Sequence, residues 1–417
     1  MLRPFLVPCV LLVALSCLLS CGSSAPKPTD PFSERRRLPD DLQAGASRVV
    51  EGNNAFACDL YAQLRSEPGN LFFSPFSIST ALAMCRAGAR ASTEAQIADV
   101  FHFDLTQEQF HPVFGALQAS LDRGASIGGY ELRVANRLWG QSGYPFEPEF
   151  LRITREDYGA EIASIDFIAN PETARQEINE WVEERTNRRI EDLFPEGSII
   201  EWTRLVLANA IYFRGTWQTA FDPAETRPRS FHLLDGTTVD VPMMSMKTDA
   251  AVGNFDGVEV LELPYDGKDV SMLFLLPPFD ETLADLEARL TPENLRQWAG
   301  GLAMVERFSI SIPKFRFSWG EALNDPLIEM GMPDAFNPNL ADFSGIAENR
   351  GLFIAWVFHK AFVEVNEAGT EAAAATGVVF NETAIQGFSA NRPFLFLIRD
   401  NVTGSILFLG RVVDPRS

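Results

Sequence analysis

A segment of 26 residues near the C-terminus, between Val365 and Arg392, has neither a charged helix pattern nor a tight turn. Predicted strands precede it and follow it. Long loops without regular structure are uncommon in compact domains and are usually functional. The fold of this chain must therefore accommodate an extended loop between two strands of its core.

The loop also has the pattern of a latent strand, because alternate side chains of a strand face opposite sides. The even-numbered positions are small at first and then apolar: Thr370, Ala372, Ala374, Thr376, Val378 and Phe380. The odd-numbered positions are more polar: Glu371, Ala373, Ala375, Gly377, Val379 and Asn381. The segment can therefore enter a sheet with its even face buried. An Ala-rich linker or a short helix is the alternative on this stretch alone, since Ala has the highest helix propensity.

Helix patterns dominate the first part of the chain and strand patterns the second. Ser74 and Pro75 indicate a helix start, with Ser as the cap and Pro in the first turn. Residues 205–213 are almost all apolar, which is typical of a central strand covered on both faces. Residues 258–263 and 270–276 flank a hairpin turn. This order predicts an α+β fold in which helices pack against mixed sheets.

Two further predictions concern individual strands. The alternation of apolar residues changes phase at Pro313, which predicts a β-bulge there. Residues 352–365 predict one long strand that leads into the loop.

Composition and motifs exclude several classes of function. The net charge of −21 argues against nucleic-acid binding, which needs a basic patch, and against electrostatic binding to anionic lipid. None of the four histidines belongs to a zinc-binding H-E-x-x-H motif, and the chain has no phosphate-binding glycine loop. We therefore expect no metal, no cofactor and no catalytic residues, and a protein that is not an enzyme.

The N-terminus has the features of an export signal. The basic Arg3 precedes an apolar stretch that is too short to span a membrane comfortably. Leu18-Leu19-Ser20 followed by Cys21 resembles a bacterial lipobox, in which the cysteine is acylated, and Gly22 resembles an outer-membrane sorting signal. We expect an exported, extracellular or periplasmic lipoprotein, held at the outer membrane only by lipid on Cys21. An ordinary signal peptide is the alternative.

These features divide the chain into three parts. Residues 1–20 are predicted to be the signal peptide, 21–45 a flexible Ser/Pro-rich tether that carries the run Arg35-Arg36-Arg37, and 46–417 the folded domain. Within the domain, Cys58 and Cys85 lie on apolar helical stretches and are predicted to be buried thiols rather than a disulfide.

Four blocks of the sequence resemble the serpin family, in the family's order. Residues 359–376 resemble the reactive-loop hinge, and residues 388–398 resemble the signature that follows the loop. Residues 209–217 and 70–78 resemble two further serpin blocks. The resemblance implies one α+β domain with three β-sheets, about nine α-helices and an exposed reactive-centre loop.

The resemblance also implies an inhibitor of serine proteases that acts as a suicide substrate. The protease cleaves the loop and forms an acyl-enzyme, and the cut loop then inserts into the main sheet and distorts the protease before hydrolysis. The expected partner is a covalently held protease, and the inhibitor itself is expected to be a monomer. The alternatives are a non-inhibitory serpin acting as a binding or chaperone module, an inhibitor of cysteine proteases, and a hydrolase with an unrecognised site.

Roles for individual residues follow from the resemblance. The hinge comprises Gly369, Thr370, Glu371, Ala372, Ala373, Ala374, Ala375 and Thr376. Gly369 gives it backbone freedom, Thr370 enters the sheet first, and the small residues resemble those of inhibitory members. The shutter, a polar cluster beneath the point where the sheet parts, comprises Ser74, Ser77, Asn209 and His359. The breach, where insertion starts, comprises Trp217, Lys314 and Glu367.

Two counts place the scissile bond differently. Counting fourteen residues from Thr370, inclusive, gives Thr383–Ala384, whereas counting back from Pro393 gives Glu382–Thr383. We prefer the first, since the hinge sets the length of insertion. A small residue before the cut suits elastase-like or subtilisin-like proteases better than trypsin-like ones, whose acidic pocket needs Arg or Lys.

Overall fold

The structure, a computed structural model, describes residues 36, 38–127, 130–348, 351–370 and 387–417. Several predictions concern residues outside this range. They are the signal peptide, Cys21, most of the tether, the hinge residues Glu371 to Thr376, and both candidate scissile bonds, which involve Glu382, Thr383 and Ala384.

Nine α-helices lie in the described residues. They are α1 (Asp40–Leu64), α2 (Pro75–Gly88), α3 (Ala91–Val100), α4 (Gln107–Ile127), α5 (Pro148–Tyr158), α6 (Pro171–Arg185), α7 (Leu283–Ala288), α8 (Pro292–Gly300) and α9 (Asn324–Met330). Ser74 caps α2, since its Oγ accepts a hydrogen bond from the backbone N–H of Ser77 at 3.1 Å, and Pro75 is the first helical residue. The predicted start of this helix is therefore confirmed.

Fifteen strands lie in the same residues. They are β1 (Leu71–Phe73), β2 (Tyr130–Gln141), β3 (Ala163–Ile165), β4 (Leu205–Thr216), β5 (Arg227–His232), β6 (Thr238–Phe255), β7 (Val258–Pro264), β8 (Val270–Leu276), β9 (Ala303–Pro313), β10 (Phe315–Ala322), β11 (Phe358–Asn366), β12 (Gly369–Thr370), β13 (Gly387–Ser389), β14 (Phe394–Asp400) and β15 (Ile406–Val412). Six of them form the main sheet, in the order β10-β11-β12-β4-β2-β3. The second sheet has nine strands, in the order β1-β15-β14-β8-β7-β6-β9-β13, with β5 paired to β6.

The α+β fold class is confirmed. The described strands form two hydrogen-bonded sheets where we expected three, because the 18-residue β6 connects two groups of strands. Its early residues pair with β5 and β9, and residues 251–255 pair with β7. The hairpin of β7 and β8 is antiparallel, as predicted.

Helices cover both faces of the main sheet. All residues of α2 are buried, and this helix lies on the face that belongs to the large core. On the opposite face, Ile178 and Val182 of α6 pack in a smaller cluster with Ala208 and Ala210 of β4. Burial on both faces explains why the sequence of β4 is almost continuously apolar.

Two strand predictions are wrong. The phase change at Pro313 is no bulge: β9 ends there in the second sheet, and β10 begins at Phe315 in the main sheet. The strand predicted over 352–365 begins only at Phe358. Just before β11, the backbone N–H of Val357 donates to the side chain of Asn324. This N–H is therefore satisfied without pairing to another strand.

The folded domain begins earlier than predicted. Helix α1 starts at Asp40, inside the segment assigned to the tether, and acidic residues in its first turn favour a helix N-terminus. Arg36 is also buried, with 1% of its surface exposed. Arg36 and residues 38–45, predicted to lie in the tether, are therefore part of the folded domain.

The two cysteines of the domain are free, buried thiols, as predicted. Burial raises the pKa of Cys58 and of Cys85 to about 12. Both thiols are therefore protonated at neutral pH and are poor nucleophiles.

Candidate functional site

The predicted hinge begins inside the main sheet. Gly369 and Thr370 form β12, which lies between β11 and β4 and is antiparallel to both. Thr370 is paired with Val365 on β11 and with Gly215 on β4. The hinge therefore separates the two central strands at this end of the sheet, which we call the breach end.

Thr370 is anchored to the core, with only 1% of its surface exposed. Its Oγ1 lies 2.8 Å from the phenolic oxygen of Tyr265, and one hydroxyl donates to the other. Tyr265 also stacks on Trp217, with ring centroids 4.6 Å apart and planes 9° apart. Buried polar groups need a hydrogen-bond partner, and Tyr265 supplies one for the hydroxyl of Thr370.

Gly369 is required by space as well as by backbone conformation. Its φ is +148°, which side-chain-bearing residues rarely adopt. A Cβ at this position would lie 2.0 Å from the carbonyl oxygen of Gly215. Only glycine fits between β11 and β4 without a shift of the β4 backbone.

We expect a Gly369→Ala change to displace β12 from the main sheet, because the added methyl group collides with β4. The free energy of unfolding should fall by about 1–3 kcal/mol, and amides 213–216 should exchange faster with deuterium. Gly351→Ala is the matched control, since Gly351 has a φ of +138° but no atom within 4 Å of the Cβ position. Unchanged exchange at 213–216 in Gly369→Ala would contradict the close packing.

The three predicted breach residues meet at the turn that leads into the hinge. The indole N–H of Trp217 donates to the carbonyl of Asn366 at 3.0 Å, and its backbone N–H donates to the carbonyl of Ala368 at 2.9 Å. Lys314 Nζ lies 2.7 Å from Glu367 Oε2. These contacts hold the turn between β11 and β12 in one conformation.

The ion pair of the breach is only partly shielded from water. Partial burial acts to raise the pKa of Glu367, but hydrogen bonds from Lys314 and Thr226 outweigh it and lower the pKa. The side chain of Lys314 remains 37% exposed. Exposed pairs contribute at most about 1 kcal/mol, so we assign this pair to alignment of the turn.

The four predicted shutter residues lie together beneath the main sheet, each at most 3% exposed. Ser74 Oγ donates to the carbonyl of Leu407 at 2.6 Å. The side-chain amide of Asn209 donates to Oγ and to the carbonyl oxygen of Ser77, both at 2.7 Å. The cluster therefore connects α2, β4 and β15.

His359 connects the two central strands. Its Nε2 accepts a hydrogen bond from the backbone N–H of Ser74 at 3.0 Å, so the proton of the neutral ring is on Nδ1. Nδ1 donates to Asn209 Oδ1 at 3.0 Å. Asn209 lies on β4 and His359 on β11, so this bond crosses the boundary between the two central strands of the main sheet.

The backbone ladder across the same boundary is short. β4 and β11 pair directly at three positions, where Ala210–Tyr212 lies parallel to Lys360–Phe362. Parallel pairing is slightly less stable per residue than antiparallel pairing. Few backbone hydrogen bonds therefore hold β4 and β11 together directly.

Acid should destabilise the protein, because two buried histidines are neutral in the fold. Burial lowers the pKa of His359 to about 3, and burial together with the charge of Arg86 lowers that of His111 to about 3. Both titrate near about 6.5 in the unfolded chain, which therefore binds more protons as the pH falls. This stability is complete above about pH 6.5 and is lost towards pH 3, with about 2 kcal/mol lost per histidine at pH 5.

Denaturant unfolding at about pH 7.5 and about pH 5 measures this loss. We expect His359→Gln to remove roughly half of the loss that the two histidines cause. His232→Gln, at an exposed histidine outside the core, serves as the matched control. A His359→Gln protein with wild-type pH dependence would contradict the neutral buried imidazole.

Sequence reasoning missed three residues that support the site. Tyr265 contacts Thr370, Thr226 donates to Glu367, and Asn136 Oδ1 accepts a hydrogen bond from the amide of Asn209 at 2.7 Å. The hairpin signal placed Tyr265 near a turn, but it carries no information about the face that meets the hinge. The other two have no local signal.

The described part of the chain holds no group of three or more His, Cys, Asp or Glu side chains placed to bind a metal ion. Within the same residues, no helix combines the length and the apolar character that a membrane span needs.

Comparisons with known proteins agree with this arrangement. A family model described as "Serpin (serine protease inhibitor)" matches residues 51–415. The leukocyte elastase inhibitor of Sus scrofa is 45% identical over 382 residues, which cover 88% of this chain and 100% of the relative. Antithrombin-III of Mus musculus is 38% identical over 412 residues, which cover 94% of this chain and 87% of the relative.

An archaeal relative and a solved structure extend these similarities. An uncharacterized serpin-like protein of Methanosarcina acetivorans is 39% identical over 374 residues, covering 88% of this chain and 86% of the relative. The crystal structure of uncleaved ovalbumin matches with a TM-score of 0.79 and 30% identity, covering 88% of this chain and 100% of that chain. With its hinge at the breach end of the main sheet and these similarities over most of its length, the chain belongs to the serpin family of serine protease inhibitors.

Proposed function

We propose that the protein inhibits its target protease as a suicide substrate, with the main sheet as the acceptor of the cleaved loop. The observation that carries this proposal is the position of Gly369 and Thr370, paired between β4 and β11. A loop that continues from Thr370 has a path between the same two strands. The nucleophile comes from the protease, which attacks the loop and becomes acylated.

The observed register supports a full-length insertion. Thr370 faces Gly215 in an antiparallel ladder. Continuing this register one residue at a time brings Phe380 opposite Leu205, the first residue of β4. The loop from the hinge to Phe380 therefore has the length needed to pair with the whole of β4.

A cavity supports the same path. It has a volume of about 330 Å³ and is lined by Leu205 and Leu207 of β4, by Phe358 of β11 and by residues of α2. In the extended register, Val378 and Phe380 fall beside these two β4 residues, on the face shared with Thr370. Filling the cavity with apolar side chains would stabilise the inserted state.

We propose Thr383–Ala384 as the reactive bond and an elastase-like or subtilisin-like protease as the target. Insertion up to Phe380 leaves three residues before the cut, enough to connect the inserted strand to the acyl-enzyme. A threonine at the cut suits a small, uncharged specificity pocket. Glu382–Thr383 is the alternative bond.

Incubation with elastase, subtilisin, chymotrypsin, trypsin and papain tests the proposal. We expect a covalent complex that survives denaturing gel electrophoresis with elastase or subtilisin, and mass spectrometry of the released fragment identifies the bond. A complex with trypsin would indicate a trypsin-like target instead, and a complex with papain would indicate a cysteine protease. Cleavage by every serine protease without any complex would refute the suicide mechanism.

We further propose that the protein is an exported monomer, anchored by lipid on Cys21. The apolar N-terminal stretch and the lipobox-like sequence before Cys21 support this. Mass spectrometry of the mature N-terminus tests it, with Cys21→Ser as the matched control. An unmodified N-terminus elsewhere would refute the anchor and leave the inhibitor proposal intact.

A further inference from the structure

Arg36 is a fully buried arginine on the N-terminal side of the first helix. Its Nη2 lies 2.7 Å from Asp400 Oδ1, and its Nη1 lies 3.2 Å from Asp269 Oδ2. Its Nε donates to the carbonyl of Ser120 at 3.1 Å, and its own carbonyl accepts from Ser120 Oγ at 2.8 Å. Both the guanidinium group and the backbone of Arg36 are therefore bound.

The pocket around this side chain is built from separate elements. Ser120 lies on α4, Asp400 ends β14, and Asp269 directly precedes β8. Asp400 Oδ2 accepts hydrogen bonds from the backbone N–H and the hydroxyl of Thr403, at 3.1 and 2.6 Å. One oxygen of Asp400 is thus satisfied locally, and the other faces the guanidinium.

The pocket fits a guanidinium group in shape as well as in charge. A Cβ at Gly124 of α4 would lie 2.8 Å from Arg36 Nε and 2.3 Å from the hydroxyl of Tyr130, so α4 approaches both closely. A planar group with several donors can contact Asp400, Asp269 and the Ser120 carbonyl at once, which a lysine ammonium cannot do.

Asp400 depends on this partner. It is completely buried, and burial raises its pKa, while Arg36 and Thr403 act in the opposite direction. A buried carboxylate that loses its cationic partner is strongly destabilising.

The pocket is continuous with the breach end of the main sheet. Tyr130 is paired with Gly215 of β4, the same residue that pairs with Thr370. The ring of Tyr130 stacks on Phe213 at 6.0 Å, and Phe213 packs edge-on against Tyr265 at 5.0 Å. Packed side chains thus connect Arg36 to the hydrogen-bond partner of the hinge.

We propose that Asp400, Asp269 and the carbonyl of Ser120 form a guanidinium-binding site, and that Arg36 is its built-in ligand, which ties the chain at Arg36, just before α1, to the breach end of the main sheet. The site takes guanidinium compounds in preference to ammonium compounds. It does not depend on the protease-inhibitor mechanism, and it makes Arg36 a part of the sheet's support.

Arg36→Ala with chemical rescue tests this site. The change should lower the melting temperature by about 5 °C and speed amide exchange at residues 130–132. Methylguanidinium at about 5 mM should recover at least half of both losses, whereas methylammonium at the same concentration should not. The double variant Arg36→Ala/Asp400→Asn should show no recovery.

Arg48→Ala is the matched control. Arg48 is paired with Asp104 at 2.8 Å, but the two side chains are 48% and 53% exposed, so its loss should shift the melting temperature by less than about 1 °C. If Arg36→Ala does not fold, Arg36→Lys replaces it. A lysine ammonium cannot contact Asp400, Asp269 and the Ser120 carbonyl at once, so this variant should melt below the wild type, and a wild-type melting temperature would overturn the proposal. An Arg36→Ala protein as stable as the wild type, or equal recovery by methylguanidinium and methylammonium, would overturn the proposal.

Discussion

Replacing Thr370 with Arg is expected to convert the protein from an inhibitor into a substrate. Thr370 occupies a closed site between β4 and β11, where its hydroxyl contacts Tyr265. An arginine there has to bury a guanidinium in a site where the described side-chain partner is the hydroxyl of Tyr265 and not a carboxylate, at a cost of several kcal/mol. Since each 1.4 kcal/mol is a factor of ten in rate, insertion should slow by about 100-fold or more relative to hydrolysis of the acyl-enzyme.

The yield of covalent complex on a denaturing gel, with the number of inhibitor molecules cleaved per protease inactivated, measures this change. Glu371→Arg is the matched control, because residue 371 belongs to the odd-numbered face, which is predicted to point away from the core. That variant should still form the complex. Thr370→Ser, which keeps the hydroxyl, should also form it. A Thr370→Arg protein with a wild-type yield of complex would contradict the assignment of Thr370 as the first inserted side chain.

Local chemistry predicted the elements whose structure is decided locally. The cap at Ser74 and the hairpin of β7 and β8 each depend on a few adjacent residues, and both are confirmed. The α+β class follows from the order of the helix and strand patterns, and it is confirmed as well.

The wrong predictions arose where one local pattern fits two tertiary arrangements. A phase change in alternation is expected at a bulge, but it is also expected where a strand leaves one sheet and enters another, as the chain does at Pro313. The strand predicted over 352–365 failed in its first part because the backbone N–H of Val357 finds a partner in Asn324.

The site was predicted only as far as the family resemblance extends. That resemblance named Asn209 and His359, and the structure brings them within hydrogen-bond distance of each other. It named neither Tyr265 nor Arg36, whose contacts join parts of the chain that are far apart in sequence. In the sequence, the run Arg35-Arg36-Arg37 resembles a solvated tether. No local pattern indicates that Arg36 pairs with Asp400.

Cleavage of the reactive loop is expected to raise the stability of the protein substantially. In the intact protein, β4 and β11 pair directly at three positions only. Insertion up to Phe380 would replace this parallel ladder with two antiparallel ones, one along β4 and one along β11, each new hydrogen bond contributing about 0.5–1.5 kcal/mol. It would also fill the 330 Å³ cavity beside Leu205 and Leu207.

The most direct measurement is the melting temperature of the protein before and after a single cut in the loop, followed by calorimetry. Cut protein should melt at least about 10 °C higher than intact protein. Cut Thr370→Arg protein should gain far less, which separates insertion from the mere relief of a strained loop. If cut and intact wild-type protein melt at the same temperature, the main sheet gains nothing by accepting the loop, and the proposed trap has no driving force.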